Sequence, residues 1–112
     1  MYEYQCQILR VIDGDTVEAK IDLGFKVSKI ETVRLLGINA PAVYSPDQAT
    51  RSMAYAATAK LTELCKNVTL IRTHKDNREK YGRMLGELFS ENPCQSINQA
   101  MLQVPGVVTY TL

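Results

Sequence analysis

Apolar and polar residues alternate along much of the first third of the chain. The alternation is clean in Tyr4–Ile8 and Val17–Leu23, and it returns in Thr32–Leu36. A period of two is typical of strands with one buried face. An Asp-Gly-Asp sequence at 13–15 favours a tight hairpin between the first two strands, and we predict a loop over residues 24–29 before the third. The pattern therefore predicts a three-stranded antiparallel meander.

A helical pattern begins after residue 45. Ser45 is a suitable N-cap, Pro46 suits the first helical position, and Gln48 follows the cap by three residues. Apolar residues then fall on one helical face. These are Met53, Ala57, Leu61 and Leu64. We predict a helix from about residue 47 to residue 65.

The remaining chain alternates again in two segments, Asn67–Arg72 and Met84–Phe89. Ile97 and Met101 mark a short second helix, and residues 107–110 form a last extended piece. Three strands, a helix and two strands follow the order of a five-stranded Greek-key barrel of the OB type. We therefore predict one domain over residues 1–112, α+β in class and mainly β, with this barrel and two helices.

Composition and charge add few constraints. The chain is 46% hydrophobic and 22% charged with a net charge of +1, so any nucleic-acid binding requires a local basic patch. No apolar run approaches the ~20 residues that a membrane span needs. Three cysteines without metal-ligand spacing indicate free thiols in a reducing compartment. We expect a cytoplasmic monomer, or a secreted protein if a leader was removed.

Asp13 and Asp15 flank a glycine at the first predicted hairpin. Aspartates serve turns by accepting backbone hydrogen bonds. Asp15 could alternatively supply a hard oxygen ligand for Ca²⁺ or Mg²⁺. The Asp-Gly-Asp-Thr sequence on its own leaves both interpretations open.

Two arginines lie where predicted strands begin or end. Arg34 is on the strand face opposite Val33 and Leu35, and Arg83 precedes the strand that begins at Met84. Either arginine could extend into solvent, and Arg34 could pair with Glu31. Two arginines and an aspartate at strand ends would instead suit a phosphodiester, because the guanidinium groups neutralise a phosphate that a metal polarises.

A polar run at 74–80 offers further positive charge, although a solvated loop is the simpler interpretation. His74 is the only histidine and has no partner at ligand spacing, so we interpret it as a loop residue. Tyr81 and Tyr110 could stack on nucleic-acid bases or pack against the barrel.

Three sequence blocks together resemble the thermonuclease family of staphylococcal nuclease-like phosphodiesterases. The blocks are IDGDTV at 12–17, VRLLGI at 33–38 and KYGRML at 80–85, with the predicted helix between the second and the third. The resemblance implies an OB-type barrel and calcium-dependent hydrolysis of DNA and RNA. It therefore implies a nuclease that binds one Ca²⁺ ion and a nucleic-acid substrate.

The resemblance also implies site residues. Asp15 matches the metal-binding aspartate of the family, while Arg34 and Arg83 match the arginines that hold the scissile phosphate. Lys80 and Tyr81 fall where the family contacts a neighbouring phosphate. Tyr110 lies near a base-stacking tyrosine, although the preceding segment is shorter here and the chain ends soon afterwards.

The loop after Arg34 departs from the family pattern. The usual Asp-Thr/Ala-Pro-Glu is replaced by Asn39-Ala40-Pro41-Ala42. Asn39 stands where the family has a second metal carboxylate, so calcium should bind more weakly, and Ala40 still offers a backbone carbonyl. Ala42 stands where the family has its general-base glutamate, whose loss costs about 10²–10⁴-fold in rate.

Several alternatives follow from this loop. The glutamate was lost naturally or replaced deliberately, or another acid such as Asp13 or Glu18 serves as the base. A different class of function is a non-enzymatic OB-fold module that binds nucleic acid or protein, with the nuclease residues as relics. A further possibility is an inhibitor or structural partner. The sequence has no exposed apolar stripe that would favour this possibility.

Overall fold

The computed structural model describes residues 2–74, 84–90 and 96–110. Within this part the chain forms seven strands and two helices. They are β1 (Tyr2–Asp13), β2 (Thr16–Gly24), β3 (Val27–Leu35), β4 (Ile38–Asn39), α1 (Gln48–Cys65), β5 (Val68–His74), β6 (Met84–Ser90), α2 (Ile97–Met101) and β7 (Val108–Thr109).

Five of the strands close into a barrel in the order β1-β2-β3-β6-β5. All neighbours are antiparallel except β3 and β6, which run parallel. The barrel interior is filled by alternate residues of its strands, such as Val17, Val33, Ile71 and Leu88, all fully buried. The predicted class and OB-like barrel are confirmed. The apolar residues of the alternating pattern that predicted them line the core.

The predicted loop at 24–29 is wrong, because β2 and β3 continue almost to each other. Only Phe25 and Lys26 lie between them, with φ of 54° and 61°. Gly24 precedes them with φ of 83°, and its N–H donates to the Asp22 carboxylate at 2.8 Å. A glycine at this position, and an aspartate that accepts from its N–H, let the chain reverse within two residues.

The N-cap of α1 is Asp47 rather than the predicted Ser45. The Asp47 carboxylate accepts the Ala49 N–H at 3.4 Å and the Thr50 hydroxyl at 2.7 Å, whereas the Ser45 hydroxyl accepts the Asp47 N–H. Both are good cap residues, and the carboxylate reaches two donors of the first turn. The helix therefore begins one residue later than predicted.

The buried face of α1 is also rotated from the predicted one. Ala54, Ala57, Leu61 and Cys65 are buried, whereas Met53 is 37% exposed. Small residues are needed here because the helix lies close to the first hairpin, where a side-chain carbon added to Gly14 would lie 2.9 Å from Ala57 Cβ. Residue size, which periodicity ignores, decides which face is buried.

His74 ends β5 instead of lying in a loop, which corrects a further prediction. Its Nε2 lies 2.8 Å from the Glu87 carboxylate on the neighbouring β6. Cys6 and Cys65 are free thiols, and Cys94 lies outside the described residues. In the ranges described above, no helix has both the length and the apolar character to span a membrane.

Candidate active site

One end of the barrel brings together residues that are far apart in the chain. The turn before β2 contributes Asp15, the end of β3 contributes Arg34, and the segment at β4 contributes Asn39 and Ala40. Arg34 Nη1 lies 3.5 Å from Asp15 Oδ2, and Ala40 N–H donates to the same oxygen at 3.0 Å. Of the nine predicted site residues, these four therefore form one contiguous cluster.

Asp15 is buried and hydrogen-bonded at both carboxylate oxygens. It is 8% exposed, and its Oδ1 accepts the Thr16 hydroxyl at 2.9 Å. The backbone supports this position, because the Leu35 N–H donates to the Asp15 carbonyl at 2.8 Å. A buried carboxylate with several donors is held in one orientation and remains ionised.

Arg34 faces the cluster and not solvent, with a side chain that is 13% exposed. Nη1 donates to the carbonyls of Leu35 at 3.2 Å and Ile38 at 3.0 Å, and Nη2 donates to Asn39 Oδ1 at 3.2 Å. The alternative pairing with Glu31 is wrong, since Glu31 pairs with Lys29 at 2.7 Å. Arg34 thus closes the loop that follows β3.

These bonds leave part of the guanidinium available. Nε–H and one N–H of Nη2 have no partner among the residues that the structure describes. Nε and Nη2 form one edge of the planar group, an edge that matches two oxygens of a phosphate. Arg34 is therefore anchored through Nη1 and presents a fork to an anion.

Tyr110 covers the face of this guanidinium. Cζ of Arg34 lies 5.5 Å from the Tyr110 ring centroid, within the range of a cation–π contact. The pairing of β4 with β7 brings the tyrosine there, and the Tyr110 N–H donates to the Gly37 carbonyl at 2.9 Å. The ring is 45% exposed, so one side remains open to a ligand.

Comparison with known protein families agrees with this geometry. The model of a family described as staphylococcal nuclease homologue matches residues 32–109, well over half of the chain. The chain belongs to the staphylococcal nuclease family. A search of curated proteins finds no significant match. The matched range includes Arg34 and the loop to Ala42, whereas Asp15 precedes it and enters the site through its contacts.

The resemblance to the nuclease family assigns three further residues to the site. Lys80, Tyr81 and Arg83 lie outside the described residues. Their assignment as phosphate-contacting residues stays a prediction.

The two aspartates of the first turn have opposite pKa shifts. Burial, together with a hydrogen bond and repulsion from Asp15, raises the pKa of Asp13 to about 6. Burial also acts to raise the pKa of Asp15, but hydrogen bonds from Asp13 and Ala40 N–H and the Arg34 charge outweigh it and lower that pKa. Below a pH of about 6 the pair therefore holds its proton at Asp13, and Asp15 is the ionised member.

The donor set of the cluster suits calcium in kind but not in charge. Carboxylate, amide and carbonyl oxygens are the ligands that Ca²⁺ takes, and Asp15, Asn39 and Ala40 supply one of each. Asn39 carries no charge, and Asp15 already contacts Arg34. In the described part of the chain, no three His, Cys, Asp or Glu residues form a metal cluster. These residues fit a weak calcium site.

The position of the family glutamate carries no acid. Ala42 is exposed and begins a turn in which the Ser45 N–H donates to the Ala42 carbonyl at 3.2 Å. Glu18, one alternative base, lies 3.7 Å from Arg10 in an ion pair. Asp13 is the other alternative, and its Oδ1 accepts the Asp15 N–H at 3.1 Å.

Asn98 of α2 is a supporting residue that sequence reasoning missed. Its Nδ2 donates to the carbonyls of Leu36 at 2.8 Å and Gly86 at 3.0 Å, and its Oδ1 accepts the Leu88 N–H at 3.1 Å. It is 3% exposed. One available signal was its place beside Ile97 in the buried turn of a short helix, where an amide needs partners. Asn98 therefore ties the start of the loop after β3 to β6.

Proposed function

We propose that this chain is a nuclease-family phosphodiesterase domain that holds DNA or RNA at Arg34 and is impaired in cleavage because position 42 is alanine. The single observation that carries the proposal is the Asp15–Arg34–Asn39–Ala40 cluster, built from segments that are separate in sequence. Its elements are an anchored guanidinium with a free donor edge beside a buried carboxylate. This arrangement suits the binding of a phosphodiester.

In this proposal each residue has a stated task. Arg34 donates hydrogen bonds from Nε and Nη2 to two oxygens of the scissile phosphate and stabilises the charge that grows on it. Arg83 would supply a second guanidinium, Lys80 and Tyr81 would contact the next phosphate, and Tyr110 would hold a base above Arg34. The phosphate would lie against Arg34, and the base would lie on the exposed part of Tyr110.

Asp15, Asn39 and the Ala40 carbonyl would hold calcium. A bound calcium ion would polarise the phosphate and orient water. Because only one full negative charge is supplied by this set, we expect a dissociation constant near the weak end of protein calcium sites, about 10⁻³ M. The residues themselves keep Asp15 ionised and hold Arg34 in its anchored position.

The methyl group of Ala42 cannot take a proton from an attacking water. The cleavage rate should therefore fall by about 10²–10⁴-fold relative to a member with glutamate there. Binding of the nucleic acid does not depend on that proton transfer. This chain is accordingly proposed to bind its substrate far better than it cleaves it, as a cytoplasmic monomer.

A non-enzymatic binding module is the second candidate function. The observation that favours it is the absence of an acid at Ala42 together with the hydrogen bond from Arg34 Nη2 to Asn39, which occupies a ligand oxygen of the calcium site. In this reading the Arg34 fork and Tyr110 bind nucleic acid without turnover. The two candidates share the phosphate site and differ in whether calcium contributes.

Calorimetric binding of a thymidine 3′,5′-bisphosphate tests both candidates. With millimolar calcium we expect binding by the unaltered chain, weakened at least tenfold by Arg34→Ala, which removes a charge-assisted contact. Asp15→Asn should remove the dependence on calcium and leave a calcium-independent remainder. Lys60→Gln, on the outer surface of α1, is the control. Equal affinity with calcium and with chelator supports the binding module, and no binding in either condition contradicts both candidates.

A further inference from the structure

One face of the β2–β3 hairpin begins at Arg34 and continues away from the site. The ladder pairs Glu18 with Thr32, Lys20 with Ile30, and Asp22 with Ser28, with no register shift before Asp22. Cross-strand partners and every second residue share a face. The outer face, as we use the term, consists of Glu18, Lys20, Asp22, Ser28, Ile30, Thr32 and Arg34.

A groove of about 360 Å³ lies on the far half of this outer face. Its polar walls come from Gln5, Gln7, Lys20, Asp22, Lys26 and Ser28. Gln7 enters it because it pairs with Lys20 across the β1–β2 ladder. Amide, hydroxyl and ammonium groups are the side chains that contact phosphate and sugar oxygens.

The charges of the outer face and of the groove are unevenly paired. Of the two acids, only Glu18 has a cationic partner, Arg10 at 3.7 Å; Asp22 accepts the Gly24 N–H and keeps its negative charge. Lys20 and Lys26 form no ion pair within the described ranges. Two unpaired lysines against one unpaired aspartate leave the groove with a net positive charge, which favours a polyanion.

The hairpin tip, Phe25 and Lys26, carries an exposed aromatic ring and a strained backbone. Phe25 is fully exposed, and both Phe25 and Lys26 have positive φ, a conformation that L side chains rarely adopt. Ile30, in the middle of the outer face, is 58% exposed. Phe25 offers an exposed stacking surface in a costly turn, next to Lys26 and at the end of the groove that Lys20 lines. Single-strand binding sites combine a stacking surface with positive charge in this way.

We propose that a single strand of DNA or RNA whose phosphate is held at Arg34 continues along the outer face to Phe25. Lys20 and Lys26 contact its phosphates, and Ile30 and Phe25 contact unpaired bases. The path covers eight residues of ladder, roughly 25 Å. A nucleic acid is the expected ligand because the outer face is continuous with Arg34. In other OB folds the face formed by the second and third strands binds oligonucleotides. The inference rests on the proposed function and adds an extended subsite to it.

The test compares a thymidine dinucleotide with a 12-nucleotide oligothymidylate by fluorescence anisotropy in calcium buffer. The altered protein carries Phe25→Ala, Lys20→Gln and Lys26→Gln. We expect it to lose at least about tenfold in affinity for the long probe, since one stacked base alone contributes that much, and to keep its affinity for the dinucleotide. The slope of log K against log salt should fall by roughly 1.4 for two lost phosphate contacts.

Lys29→Gln is the matched control, because Lys29 pairs with the buried Ile21 and so lies on the other face of the same hairpin. It should change the long-probe affinity by less than about twofold, as expected for an exposed charge away from the path. Wild-type affinity of the altered protein for the long probe overturns the inference and leaves the proposed function intact. Failure of the unaltered chain to bind either probe overturns the proposed function and the inference with it.

Discussion

The two turns at the ends of β2 differ in an instructive way. The first, at Asp13-Gly14-Asp15, is polar in sequence and largely buried, with Asp15 hydrogen-bonded at both oxygens. The second, at Phe25 and Lys26, carries an aromatic ring and is exposed. The partners of Asp15 stabilise its charge, whereas exposure of an aromatic ring works against stability, so the second turn is better explained by binding than by folding.

The site end of the barrel should be the less tolerant of the two regions. Replacing Asn98 with alanine leaves the Leu36 carbonyl and the Leu88 N–H without this partner, whereas the Gly86 carbonyl still accepts the Leu36 N–H at 2.9 Å. With about 1–3 kcal/mol for each unsatisfied group and some relaxation, we expect the free energy of unfolding to fall by about 3 kcal/mol or more. Urea denaturation measures it.

Gln99→Ala is the control for that change, because Gln99 has the same amide on the same helix but is exposed. It should cost less than about 0.5 kcal/mol. Equal losses for the two variants would show that Asn98 does not anchor the loop after β3.

Gly14→Ala tests the close approach of the first turn to its surroundings. The added carbon would lie 2.7 Å from Ala40 Cβ and 2.9 Å from Ala57 Cβ, and neither neighbour can rotate away. Such overpacking should destabilise the fold by about 1–3 kcal/mol and displace Ala40. Thermal unfolding gives the first effect, and weaker calcium binding would report the second.

A second change, Ala57→Gly, removes one of the two contacts. It should recover part of the loss when combined with Gly14→Ala, even though glycine alone costs a helix about 1 kcal/mol. Strictly additive losses would mean that the two residues do not touch.

The opposite shifts of the two aspartates predict a pH dependence at the first turn. The folded-state pKa of Asp13 is raised to about 6. The protein is therefore most stable, as far as Asp13 is concerned, below the ordinary pKa of an aspartate, and it loses stability as the pH rises through 6. Asp13→Asn keeps the acceptor without the charge. It should stabilise the fold at pH 8 by about 1 kcal/mol, a value reduced for solvent screening of a half-exposed group.

Near pH 4 the same variant should show little difference from the unaltered chain, since Asp13 is then protonated in the folded state. Asp15, whose pKa is lowered, acts in the other direction and contributes stability that is lost as pH falls. Urea denaturation across this range, without calcium, measures both trends. An Asp13→Asn effect that is independent of pH would contradict the assignment.

The hairpin tip should respond with a small effect, opposite in sign to those of the Asn98 and Gly14 changes. Changing Phe25 to Asn and Lys26 to Gly supplies residues that accept positive φ in a two-residue hairpin. We expect the free energy of unfolding to rise by about 1 kcal/mol, while long single strands bind less well. A loss of stability in a thermal melt would show that the tip is not strained.

The sequence predicted the barrel because strand alternation and core burial express the same constraint. It also predicted that Asp15, Arg34, Asn39 and Ala40 belong together, through a resemblance and not through spacing. It missed Asn98, whose partners are backbone groups far along the chain. It missed the short β2–β3 turn because Phe and Lys in positive φ contradict the usual turn residues.

Cleavage of single-stranded DNA by Ala42→Glu tests the central claim most directly. The assay compares this variant with the unaltered chain and with Ala42→Gln, whose side chain has nearly the shape of glutamate but cannot act as a base. Each protein is measured in millimolar calcium and in chelator. We predict that Ala42→Glu alone gains about 10²–10⁴-fold in rate and only with calcium. Rates for Ala42→Glu that equal those of Ala42→Gln, with nucleotide still bound at Arg34, would contradict the account of a nuclease site that lacks only its base.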